Sequence, residues 1–134
     1  MKTALVAFIL CLTTLSFAQT PKVATATLPK FTIKKHPEIA DGTPSSTVSV
    51  VVGKTTVSIA KITGTAEDIV KAEYPSKGIP AKAIAACGAW WAGAGDYFYV
   101  IKKGTSYVVY QGWQSEEQTE KGFHWKQVKT LKLQ

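Results

Sequence analysis

The chain contains no arginine, and beyond its first eighteen residues it holds a single cysteine. Bidentate recognition of phosphates and guanines leans on the guanidinium fork. Its absence argues against a nucleic-acid partner, although sixteen lysines and nine acids leave a net charge of +7. Those lysines are spread along the whole length, with only Lys34-Lys35 and Lys102-Lys103 adjacent. One cysteine, Cys87, cannot form an internal disulfide. With no Cys-x-x-Cys pair and only two histidines, the sequence offers no metal site and implies no cofactor. It also lacks any apolar run of about 18 residues, so no transmembrane segment is expected.

What is present begins with a three-part N-terminus. Met1-Lys2-Thr3 is short and basic, Ala4 to Leu15 is largely apolar, and Ser16-Phe17-Ala18 sets small residues before Gln19. This order resembles a bacterial general-export signal, which places the protein in the periplasm or the surroundings once residues 1–18 are removed. Cys11 lies inside the apolar stretch without the small-residue run of a lipoprotein signal. Residues 19–30, rich in Thr, Ala, Lys and Pro, read as a flexible lead-in. Residues 31–134 have the length and the 46% hydrophobic content of one globular domain.

Within that domain Phe31 and Ile33 open a short strand stopped at His36-Pro37, and residues 41–46 form a turn cluster. Thr47 to Ile62 alternates valines with polar residues and is interrupted at Gly53-Lys54, the pattern of a hairpin. Thr65-Ala66-Glu67-Asp68 matches a capping box, and Ala66, Ile69, Val70 and Tyr74 fall on one helical face ended by Pro75. Pro80 to Cys87, followed by Gly88, predicts a second short helix. Residues 90–96 form a glycine-broken link. Tyr97–Lys102 and Ser106–Gln111 form a second hairpin, the segment 112–122 is polar, and a last strand runs from Phe123 to about Leu133. In that strand Phe123, Trp125, Leu131 and Leu133 alternate with His124, Lys126, Val128 and Lys132. The expected fold is α+β: an antiparallel sheet of about five strands, two hairpins plus the C-terminal strand, with one or two short helices packed on it.

Residue types for catalysis are sparse. Cys87 falls at a predicted helix C-terminus, where the dipole disfavours a thiolate, among the small residues Ala85, Ala86 and Gly88. His36 and His124 sit on strand positions of polar character. Asp96 with Glu116 or Glu117 is the one carboxylate pair that a hairpin would bring together, as a glycosidase requires. Gly93-Ala94-Gly95 follows a predicted helix and precedes a strand, the reverse of a nucleotide-binding turn. The sequence therefore assigns no catalytic residue.

Aromatics are where the sequence departs from the ordinary. Of the twelve beyond Ala18, ten lie between residues 90 and 125. In Tyr97-Phe98-Tyr99-Val100-Ile101 they occupy both faces of one strand, so either both faces are covered or some rings are exposed. Trp90, Trp91 and Trp113 lie in or beside glycine-bearing connections, with Asp96, Gln111 and Gln114 nearby for directional hydrogen bonds. These six residues are the candidate binding site. The expected function is a non-enzymatic exported module recognising a protein or glycan, acidic ones included, through this aromatic region. A small hydrolase and a structural or accessory envelope protein, including an inhibitor of a secreted enzyme, are the alternatives.

Overall fold

A computed structural model describes residues 27–37 and 41–132; the export segment and most of the lead-in lie outside the described residues. Three strands, β1 (Lys30–His36), β2 (Ser45–Val52) and β3 (Thr55–Thr63), form one antiparallel sheet in the order β1-β2-β3. Five more, β4 (Glu67–Asp68), β5 (Ala85–Trp91), β6 (Ala94–Lys103), β7 (Ser106–Ser115) and β8 (His124–Lys132), form a second in sequence order. The β5–β6 turn is Ala92-Gly93, with φ of 48° and 82°. Two positive φ values in a two-residue loop match the right-handed twist of the flanking strands.

The two sheets face one another across a shared apolar layer. Phe31, Val48, Val50 and Ile62 from the first meet Cys87, Ala89, Phe98, Val100, Tyr107 and Val109 from the second. Phe98, Val48, Val50, Val100 and Val109 are fully buried, each worth roughly 1.5–3 kcal/mol of transfer free energy. The far face of the five-stranded sheet is covered as well. There Ala86, Tyr99, Ile101 and Val108 pack against Tyr74, Ile79 and Ala83 of the connection between β4 and β5. This double cover is why residues 97–101 are all buried.

The α+β expectation is overturned: the protein is mostly β, two antiparallel sheets packed face to face. Among the described residues the helical elements are short 3₁₀ turns, Lys71–Glu73, Pro75–Lys77 and Glu116–Lys121. The capping-box segment instead supplies β4, with Glu67 and Asp68 paired to Gly88 and Cys87. The predicted second helix, Pro80 to Cys87, is instead a turn that runs into strand β5 at Ala85. Its small residues fit there because aromatic rings from β6 lie over them: a Cβ on Gly88 would sit 2.3 Å from the Tyr97 ring.

Bulges also reverse the face assignments along two strands. The β2–β3 register jumps at Val48/Ser49 and leaves Ile59 unmatched. The β7–β8 register jumps at Val109/Tyr110 and leaves Val128 unmatched. An unmatched residue switches the side on which later residues fall. Trp125 therefore packs on the far face while Val128 and Leu131 pack between the sheets, whereas strict alternation puts Trp125 and Leu131 together. No helix among the described residues is long and apolar enough to cross a membrane.

Candidate functional site

Cross-strand neighbours share a face of a sheet, so the register decides which of the six candidate residues can act together. Trp91 pairs with Ala94, and Ala94 with Ser115. Asp96 lies between Ala89 and Trp113, and Trp113 pairs with His124. Gln111 lies between Phe98 and Lys126. Trp91, Asp96, Gln111 and Trp113 thus share the face that, further along the strands, packs against the three-stranded sheet. Trp90 and Gln114 flank Gly95 on the opposite face. Adjacent residues of a strand point to opposite sides, so Trp90 and Trp91 cannot contribute to one surface.

The helix-and-link reading of residues 80–96 is what joins them. In the structure Trp90 and Trp91 end a strand and Trp113 is inside one, so none of the three lies in a loop. All three remain exposed, at 41%, 41% and 40%. On the shared face Trp91 and Trp113 stand on either side of β6, two strands apart across the sheet and two residues apart along it, roughly 12 Å between backbones. Beside Trp113, on the side away from Trp91, the Gln111 side-chain amide donates to the Asp96 carboxylate at 3.2 Å. Gly64 holds the base of Trp91, since a Cβ there would sit 3.1 Å from the Trp91 Cβ. The result is two indoles anchored on a rigid ladder, with a polar pair beside Trp113.

The far-face pair has a different setting. Trp90 lines an open hollow of about 340 Å³ together with Tyr97, Lys77, Glu67, Asp68 and Glu73. Sequence reasoning singles out none of those five partners, because their approach depends on the connection 69–83 folding back over the sheet. The clue in the sequence is the acids at 67, 68 and 73, the first two of which a helical reading assigns to a cap.

The thiol is poorly placed for chemistry. Cys87 is fully buried between the sheets. Burial, aided by the Asp68 charge, pushes its pKa well above the ordinary thiol range, whereas a nucleophile needs it lowered. His36 is engaged with Thr47 Oγ1 at 2.7 Å. Glu116 folds over the β5–β6 turn, its amide donating to the Gly93 carbonyl at 2.8 Å. That is three positions along β6 from Asp96, roughly 10 Å of strand. Among the described residues no three His, Cys, Asp or Glu side chains converge as metal ligands. No known family, curated protein or solved structure matches the chain.

Proposed function

We propose that this protein is an exported, non-enzymatic binding module that holds a protein or glycan across the Trp91–Trp113 face. The observation that carries the reading is the pair of exposed indoles on one face, with the Asp96–Gln111 hydrogen bond beside Trp113. Flat aromatic rings with wet edges bind by stacking and apolar burial, and a carboxylate–amide pair adds direction. Rigid strands fix both rings before the ligand arrives, which limits the ordering cost of binding. Burial of the thiol supports binding over thiol chemistry. The basic balance of the chain adds long-range attraction toward acidic partners.

Two measurements test this. Titration of the full chain with soluble polysaccharides and with purified envelope proteins should find a partner whose affinity falls by about 2 kcal/mol or more in Trp91→Ala and in Trp113→Ala. Undiminished binding in both variants would move the site elsewhere. For export, the intact mass of protein recovered outside the cytoplasm should correspond to a chain starting at Gln19; retention of Met1 to Ala18 would sink the export reading.

A further inference from the structure

The hollow beside Trp90 belongs to the other face of the sheet and plays no part in the reading above. Its wall is aromatic. Trp90 Cε3 and Tyr97 Cε2 each lie 2.6 Å from where a Cβ on Gly95 would be, so the two rings meet over that glycine. Tyr97 is buried and locked edge-to-face against Phe123 at 5.0 Å, whereas Trp90 is exposed. Lys77 Nζ stands 5.0 Å from the Tyr97 ring centre and 3.5 Å from its hydroxyl. Glu67, Asp68, Glu73 and Thr65 also line it. A chain of net charge +7 has thus gathered three of its nine acids around one hollow.

We propose that this hollow is a second ligand site, and that it takes a single sugar ring, neutral or amino-substituted, in preference to a uronate. The exposed indole supplies a flat surface for the C–H face of a pyranose. Carboxylates accept from ring hydroxyls in charge-assisted hydrogen bonds, and the Lys77 ammonium and Thr65 hydroxyl donate. One ring is what an open space of about 340 Å³ accommodates with room for water. A metal ion is a poorer fit, because these acids do not converge as ligands. Tyr97 already carries a cation from its own chain, so the free surface is the Trp90 indole. The carboxylate surplus favours an ammonium substituent and repels a carboxylate.

Titration of the full chain with glucose, glucosamine and glucuronate, followed by NMR, tests the proposal at mildly acidic pH where the amine is protonated. Glucose and glucosamine should shift the Trp90 indole N–H resonance, with glucosamine the tighter and glucuronate at least tenfold weaker than glucose. Trp90→Ala should abolish binding, while Trp91→Ala and Trp113→Ala leave it unchanged. The exposed double variant Glu67→Gln/Glu73→Gln, which keeps every ring in place, should erase the preference for glucosamine over glucose. Absence of any shift, shifts confined to other tryptophans, or glucuronate binding as tightly as glucose would each overturn the assignment.

Discussion

Trp125 occupies the space where a side chain on Gly112 would begin: a Cβ there would lie 2.6 Å from the indole Cε3. The two residues are cross-strand partners on β7 and β8. The same exchange recurs at Gly88 with Tyr97 and at Gly95 with Trp90. A glycine interrupts the strand's own side chain, and a ring from the neighbouring strand fills the gap.

Gly112→Ala should therefore destabilise the fold, although alanine is the better residue in an open strand. The added methyl meets three atoms of the Trp125 ring closer than 3.0 Å, and overpacking of this kind costs about 1–3 kcal/mol. A lowered urea midpoint with an unchanged slope is the expected result. Gly104→Ala provides the control for space, since nothing lies within 4 Å of a Cβ there. Its φ of 57° leaves only the backbone strain of a positive-φ turn.

Ser46 joins the two sheets chemically. Its buried hydroxyl donates to the Gly64 carbonyl at 2.9 Å and accepts from the Ala66 N–H at 3.0 Å. Those residues form the crossover from β3 to β4. Ser46→Ala strands both backbone groups in an apolar layer, at a cost of about 1–3 kcal/mol. Hydrogen exchange should show the Ala66 amide losing protection, while the β6–β7 ladder keeps its own.

The hairpins were legible because their signals are local. Val48, Val50 and Val52 alternate with polar neighbours, and Gly53 and Gly104 mark turns that form as read. The expected helices failed because their signals were also local but tertiary pairing prevailed. Thr65 to Asp68 has the residues of a cap, yet Glu67 and Asp68 complete the edge of β5. Ala85-Ala86-Cys87 has little strand propensity of its own, and its place in the sheet comes from Val100, Tyr99 and Phe98 on β6, ten or more residues on. Of the candidate site, Trp91, Asp96, Gln111 and Trp113 do come to one face. Trp90 and Gln114 could be separated from them only by knowing that residue 90 is in a strand.

Cys87 gives the protein a sensitivity to alkali. Its folded pKa is raised, first by burial and then by the Asp68 charge. The native state therefore keeps a proton that the unfolded chain releases above about pH 8.5. Stability is fully present below that pH and falls as pH rises beyond it. Tyr74 and Tyr99, also raised chiefly by burial, extend the fall above about pH 10. Chemical denaturation across this range should show a shallower decline in Cys87→Ala, after a pH-independent loss on the order of 1 kcal/mol for the missing side chain. The native thiol should also resist alkylation until the protein is unfolded. Fast native labelling would contradict its burial.

Trp91, Trp113 and Trp125 should separate into two thermodynamic classes. Trp125 is held by Tyr99 at 4.7 Å, by Phe123 at 5.7 Å and by the space over Gly112. Truncating it removes a packed ring and leaves a void, so Trp125→Ala should cost about 3 kcal/mol or more and lower Tm by many degrees. Trp113 projects from the middle of an intact ladder with 40% of its surface open to water. Trp113→Ala should shift stability by no more than about 0.5 kcal/mol, the ordinary range for a surface change. Trp91→Ala should behave likewise, because its Cβ, the atom seated beside Gly64, survives the truncation. Affinity for the partner should follow the opposite order, falling in Trp91→Ala and Trp113→Ala and persisting in any Trp125 variant that stays folded. Added salt should weaken the interaction only modestly, because stacking is short-ranged and lysine attraction is screened. Thermal denaturation of the single variants beside their titrations checks each arm. Cooperative unfolding of Trp91→Ala and Trp113→Ala at much lower temperature would make these rings part of the core and remove the support for a binding face.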